Sequence, residues 1–276
     1  MLKRVRMCVV GVLGITASSA MGSIFQTASP YTDTAGDQVG STNPARDIRS
    51  ATITNDATNF YITINLNPAA TLGTVSFDYG IGITTGSPTA GGDTSANATT
   101  HGNPYARTIS IDSSLGGMMD WIGLFPAGGA GTVASPWTSY GFNDYVFGTP
   151  GSSEPANVWT KIETVSGGQP MATQNSQTGL SSITVTVPLA DFISNLNLVP
   201  GATIDFDIYS TGTSAGQTAY DSLADSAPTN ATNSATTQYN GTVLDSYTLQ
   251  VPEPATLGLL GVGSLVLMKR RGKSRI

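Results

Sequence analysis

Aspartate is the residue type with the most chemistry to offer in this chain. Between residues 23 and 250 there are 15 aspartates against two glutamates, Glu154 and Glu163. Short carboxylates set among Gly, Asn and Thr suit calcium loops, because several oxygens can converge on one hard cation. Three close pairs qualify: Asp33 with Asp37, Asp205 with Asp207, and Asp221 with Asp225. Asp205 and Asp207 lie two apart in an alternating stretch, so in a strand they share one face and can meet one ion. They are the calcium candidates carried forward. No EF-hand or nonapeptide spacing accompanies them. The competing expectation is a solvated polar face, with calcium at most structural.

Other residues are tested for catalysis in the same way. Gly212-Thr213-Ser214-Ala215-Gly216 fits G-x-S-x-G. A nucleophile elbow needs a strand before it, a helix after it and a later histidine as base. No histidine follows Ser214, and His101, in a polar loop, is the only one in the chain. The one cysteine, Cys8, sits in the N-terminal apolar run. The usual zinc sites are thereby excluded. No two aspartates are marked out as a glycosidase pair. A non-enzyme without a required cofactor is expected. Trp121, Trp137, Tyr140 and Trp159 are glycan-stacking candidates, since flat aromatic faces suit sugar rings; core packing is their alternative role.

These residues must be positioned by short strands. Residues 48–54 and 60–66 alternate on either side of Asn55-Asp56-Ala57-Thr58, a hairpin signature. Residues 75–83 alternate again, with Ser76, Asp78, Gly80 and Gly82 opposite the apolar face. Further strands are expected over 107–112, 119–125, 158–165, 183–187, 203–209 and 242–251, and a bent hairpin over 137–147. In 203–209, Ile204, Phe206 and Ile208 should point inward, and Asp205, Asp207 and Tyr209 outward. Residues 85–104 and 211–240 read as long polar loops. One helix is expected at 188–196, where Leu189, Phe192, Ile193 and Leu196 recur at helical spacing after a proline. About ten strands and almost no helix predict an all-β fold, a single antiparallel β-sandwich of jelly-roll-like type.

Charge narrows the partners. Only 11% of the 276 residues are charged, against roughly 25% in an average domain. Residues 23–250 hold four basic side chains (Arg46, Arg49, Arg107, Lys161) and 17 acidic ones, a formal net charge of −13. Such a surface repels phosphate backbones, so no nucleic acid is expected. It suits cations, neutral sugars or plain solubility.

The remaining basic residues mark the two ends. Residues 1–22 combine Lys3, Arg4 and Arg6 with an apolar run and then small residues, the pattern of a secretory signal peptide cut by signal peptidase. At the other end, Pro252-Glu253-Pro254 precedes 14 uncharged residues (255–268) and a basic cluster including Lys269, Arg270 and Arg271. The apolar run is short for a roughly 30 Å hydrocarbon core, and the basic cluster reads as a cytoplasmic membrane stop.

This three-part tail resembles the PEP-CTERM sorting signal. The resemblance implies recognition by an exosortase, a membrane-embedded cysteine protease, with cleavage near Pro252-Glu253-Pro254. It also implies a Gram-negative-type envelope, often in bacteria that make exopolysaccharide. Three parts follow: a signal peptide (1–22), an extracellular sandwich (23–250) and a sorting segment with a transmembrane hydrophobic helix (251–276). A second resemblance lies in residues 45–62, from Ala45-Arg46-Asp47 through Asn55-Asp56 to Phe60-Tyr61-Ile62. They resemble the opening of DOMON-like and family-9-like carbohydrate-binding sandwiches. That implies a domain binding sugar or haem; haem ligation ordinarily takes Met and His, and His101 is the only histidine. The expected function is a non-catalytic envelope or extracellular-matrix protein associating with polysaccharide. The rivals are a secreted aspartate-based glycoside hydrolase and a purely structural surface protein.

Overall fold

A computed structural model describes residues 30–38, 43–70, 77–87, 91–94, 107–127, 134, 139–147, 159–170, 182–199, 201–213, 216–225 and 239–250. The expected signal peptide at 1–22, the sorting tail, His101, Trp137, Glu154 and Ser214 lie outside them, with Pro252, Glu253, Pro254, Lys269, Arg270 and Arg271 in that tail.

The alternating stretches form strands that stack as two sheets. The first is four-stranded, in the order β1 (Tyr31–Thr32), β2 (Ile48–Asn55), β3 (Asn59–Leu66), β9 (Ser182–Pro188). The β2–β3 hairpin turns on Asp56. Its Oδ1 accepts from the Thr58 and Asn59 amides at 2.6 and 2.7 Å, and its Oδ2 accepts from the Tyr61 hydroxyl at 2.7 Å. Those donors, the Thr58 amide first, hold its pKa down at about 2. The second sheet is seven-stranded: β11 (Ala219–Ser222), β10 (Thr203–Thr211), β4 (Asp78–Thr84), β6 (Asp120–Ala127), β7 (Ser139–Phe147), β8 (Trp159–Pro170). Its seventh strand, β13 (Asp245–Thr248), pairs the first half of β10 while β11 pairs the second half. Pairing within both sheets is antiparallel.

Between the sheets the alternation becomes a core. Phe60, Ile62 and Ile64 of β3 and Val185 of β9 face Ile81 of β4 and Phe206 of β10, all at most 2% exposed. Each such side chain contributes about 2 kcal/mol by leaving water. The helix, α1 (Leu189–Asn195), closes one end. Pro188 is its N-cap and lies just outside the first turn. Seven residues are too few to be helical alone. Phe192 fixes the helix by stacking on Phe60, with ring centroids 4.7 Å apart and planes 10° apart.

The structure departs from expectation on the far face of the seven-stranded sheet. That face is covered. β5 (Ile109–Ile111) and β12 (Tyr239–Gly241) pair in parallel and lie with Ile109, Ile111 and Tyr239 in a second core with Met118, Trp121 and Tyr209. β4 is therefore buried along all seven residues. Asp207 and Tyr209, expected outward, are 0% exposed. The Trp121 ring lies over Gly80, where a Cβ would run into it. Gly80→Val should therefore lower the melting temperature markedly, at an overpacking cost of about 1–3 kcal/mol, read by thermal unfolding. Arg107 reaches from the start of the cover to Asp78 of β4, Nη2 to Oδ2 at 2.6 Å, as a buried ion pair. The region expected at 137–147 as a bent hairpin holds the single strand β7; the strand expected at 242–251 is β13, while β11 and β12 arise within and at the end of the stretch 211–240 expected as loop.

Candidate metal centre

Asp33, Asp37 and Asp221 come together at the edges of the two sheets. Each offers one carboxylate oxygen, and these oxygens lie within 4.8 Å of one another. Among the described residues this is the group of acidic side chains with metal-ligating geometry.

The chain reaches this point through β1. Tyr31 pairs with Ala51 of β2, its ring meets Phe206 edge-on at 5.0 Å, and its hydroxyl donates to the Ser246 carbonyl at 2.7 Å. The Asp33 amide continues the ladder to the Arg49 carbonyl at 3.0 Å. The chain then turns at Gly36, whose φ of +79° suits glycine. The Gly36 amide donates to Asp47 Oδ1 at 3.3 Å.

Asp221 arrives from the other sheet by a bulge. Ser210 pairs with Asp221 and Thr211 with Ala219, so Tyr220 is an extra residue on β11. A bulge re-aims side chains. Here Tyr220 packs into the main core, and Asp221 Oδ2 accepts from the Ile48 amide at the start of β2, at 2.6 Å.

The oxygens divide cleanly between those with donors and those without. Asp33 Oδ1 accepts from the Thr34 amide at 2.6 Å, while Asp33 Oδ2, both oxygens of Asp37 and Asp221 Oδ1 are buried without a hydrogen-bond partner. Gln38 Oε1, next in the chain, is also buried without one. A fourth acid, Asp47, is occupied elsewhere, by Gly36, by Asn67 Nδ2 at 2.7 Å and by Arg49 at 2.8 Å. Arg46 lies over Tyr220 and Phe77, 3.8 and 5.0 Å from the ring centroids. Burial, then the charge of Asp37, pushes Asp33 up to about 8. Burial pushes Asp221 up to about 9 against the Ile48 hydrogen bond, with Asp33, Asp37 and Asp47 adding to it. Asp37 is raised as well, chiefly by burial. Such a site holds a proton or a cation; ionised and unpaired it is strongly disfavoured.

Asp205 and Asp207, the candidates from the sequence, do not form an open cation site. Asp207 Oδ1 accepts from the Ile208 and Ala224 amides at 2.7 and 3.0 Å, and Oδ2 from Ser222 Oγ at 2.5 Å, so both oxygens are taken. Asp205 accepts from Ser246 Oγ. Asp225 lies by Tyr239, 3.5 Å from its hydroxyl, and Asp221 joins Asp33 and Asp37 instead. The sequence pairs were local, and the partner of Asp33 and Asp37 came from a strand read as loop. The signal available was Asp221 in the short apolar run Ala219-Tyr220-Asp221.

The aromatic candidates part company. Trp121 is 1% exposed and stacked on Tyr209, centroids 5.8 Å apart and planes 9° apart, so no face of it is free for a sugar. Trp159 is half-buried, donates Nε1 to Asp93 Oδ2 at 2.8 Å and leans on Phe147. Tyr140 lies on β7 opposite Gln169, and its side chain is outside the described set. Asp120 and Asp144 lie on neighbouring strands, both fully buried; burial and the Asp144 charge push Asp120 far above the usual carboxylate range.

Residues 250–273 match the PEP-CTERM protein-sorting motif. The motif marks the chain as an exosortase target, exported to the bacterial cell envelope or exterior. No curated protein and no solved structure matches the chain. Among the described residues no helix is long and apolar enough to cross a membrane, and the expected tail helix lies outside them.

Proposed function

We propose that the sandwich is a non-catalytic module of a Gram-negative-type envelope or matrix protein and associates with neutral polysaccharide. One observation carries the reading. The outer face of the first sheet is a grid of nine uncharged polar residues in register: Ser50, Asn65 and Ser182; Thr52, Thr63 and Thr184; Thr54, Tyr61 and Thr186. Strands about 4.8 Å apart with side chains about 6.7 Å apart along each make a regular hydroxyl-bearing ledge. Thr63 and Thr184 hydroxyls lie 3.0 Å apart, and Asn65 Nδ2 donates to Ser50 Oγ at 3.0 Å. On a domain of net charge −13, a face with nine uncharged side chains and one carboxylate at its rim, Asp56 bonded to Tyr61, suits a neutral polyhydroxylated partner better than a charged one. The resemblance of residues 45–62 to carbohydrate-binding sandwiches leans the same way, as does the lack of a histidine after Ser214.

Pull-down of the exported protein with a panel of neutral and acidic polysaccharides tests the reading. Binding to a neutral member is expected. The single change Thr184→Glu, at an exposed position of the grid, should weaken it at least tenfold, about 1.4 kcal/mol, with little change in melting temperature. Retention by no glycan would sink the polysaccharide reading. Turnover of a glycan, abolished by Asp→Asn changes, would put the aspartate-based hydrolase in its place.

The tail supplies a separate expectation. Signal peptidase and exosortase should leave a mature chain starting near residue 21 or 23 and ending near 252. Mass spectrometry of the exported protein reads both ends; an intact C-terminus beyond Arg271 would refute exosortase processing.

A further inference from the structure

We infer that Asp33, Asp37 and Asp221 bind a hard divalent cation, calcium fitting best, which clasps the segment after β1 to the edge strand β11. This inference is independent of the polysaccharide reading. Clustered carboxylates alone would be weak ground, since solvated acids cluster often. The decisive feature is Asp221. It is 0% exposed, one of its oxygens is held by the Ile48 amide, and the other is buried without a partner in the cluster formed with Asp33 and Asp37. Asp33 repeats the pattern, one oxygen held by Thr34 and the other without a partner. Donors thus fix each carboxylate and leave an oxygen over.

The donor set selects the ion. Only oxygens are offered, with no histidine or thiol in the group, which favours calcium or magnesium over transition metals. Calcium–oxygen bonds of about 2.3–2.6 Å let ligands stand up to about 5 Å apart across the ion. Oxygens that all lie within 4.8 Å of one another can be bridged by such an ion. Magnesium keeps several of its waters and is seldom held by protein ligands alone, whereas calcium accepts a set of carboxylate and amide oxygens such as this one. Asp37 can contribute both oxygens, and the buried amide oxygen of Gln38 is the next donor in the chain.

The placement says what the ion would do. β1 is two residues long and lies at the edge of the first sheet, and β11 is four residues long and lies at the edge of the second. A cation between them ties two short edge strands from opposite sheets. It takes over from a proton the task of relieving carboxylate repulsion. Calcium sites of extracellular modules hold the ion with a Kd of about 0.1–1 mM, so this clasp would close after export.

The test uses the exported protein, stripped with EGTA and dialysed. Calorimetric titration with calcium chloride should show one site with a Kd on the order of 0.1–1 mM. The melting temperature should rise by a few degrees at about ten times that Kd. Asp37→Asn and Asp33→Asn should each weaken binding at least tenfold and erase most of the thermal shift. Asp221→Asn keeps a carbonyl for the Ile48 amide, so it should fold and lose the calcium response. Asp225→Asn should respond as the parent does. Three results would overturn the inference: no heat and no thermal shift up to 10 mM calcium; an undiminished response in the Asp33, Asp37 and Asp221 variants; or the same shift from sodium chloride at matched ionic strength. An acid stabilisation that Asp37→Asn abolishes, without any calcium response in the parent, would also overturn it and identify a proton shared between Asp37 and Asp221.

Discussion

Trp121→Ala is expected to cost about 3–5 kcal/mol, the range for deleting a buried aromatic side chain. In a domain of this size that lowers the melting temperature by about 10 °C. The ring is 1% exposed and lies between Tyr209, stacked 5.8 Å away, and the bare backbone of Gly80. Its removal opens a hole with strand backbone as its floor, which cannot rise to fill it. Tyr239 meets Tyr209 edge-on at 5.5 Å, so the loss spreads to the β5–β12 cover. Trp121→Phe should cost much less, because it keeps a ring in place and removes an indole N–H that has no acceptor. Near-ultraviolet circular dichroism during thermal unfolding reads both variants. A double cycle sharpens the result: in the Trp121→Ala background Gly80→Ala should lose most of its cost, because the ring it strikes is gone. A stable Trp121→Ala protein that had lost glycan binding would return the residue to the surface role its type suggests.

Gly80 and Trp121 also show where the sequence stops being readable. The inward faces were plain, because Phe60, Ile62 and Ile64, or Ile204, Phe206 and Ile208, alternate with polar residues and only one face can enter a core. The same alternation misplaced the other side of β10. Asp205, Asp207 and Tyr209 look outward by period alone, but a period says only that two faces differ, and both can be buried. The cover over Asp207 and Tyr209 comes from strands three residues long: 109–111 was legible as a strand at 107–112 but not as a cover, and 239–241 lies at the end of a stretch read as loop. The glycines were the trace it left: Gly80 and Gly82 on one face of a central strand make sense once Trp121, Met118 and Tyr209 lie on them. The metal centre was half visible for a related reason. Asp33 and Asp37 are neighbours in the chain, whereas Asp221 reaches them through a bulge in a four-residue strand, and a bulge leaves no mark on composition. The sorting tail needed no fold at all, since Pro252-Glu253-Pro254, the apolar run and the basic cluster are legible in order along the chain.

Buried aspartates give the second large effect: stability should fall as pH rises from 5 to 8, the reverse of ordinary acid denaturation. Asp207 is fully buried; desolvation pushes it up to about 7, against the hydrogen bonds from Ser222, Ala224 and Ile208, and the charge of Asp245 adds a little. Asp78 is held up at about 6, because burial outweighs the attraction of the Arg107 guanidinium. Asp120 is pushed far above the usual range by burial and by Asp144. In each case the folded pKa exceeds the ordinary aspartate value of 3.8. The folded chain therefore holds more protons than the unfolded one above that value, and stability is lost until pH has passed the folded pKa. Inside its window each group removes up to about 1.4 kcal/mol per pH unit. For Asp78 the window closes near pH 6 and for Asp207 near pH 7. From pH 5 the two groups together lose about 4 kcal/mol, a fall of about 10 °C in melting temperature. Self-repulsion at a net charge of −13 acts in the same direction. Thermal unfolding at constant ionic strength, from pH 5 to 8, reads the slope. Asp207→Asn should flatten it below pH 7, because the amide keeps the shape and has no proton to lose. A melting temperature that holds level or climbs over that range would mean that these carboxyls are ionised in the folded chain and that positive groups compensate them.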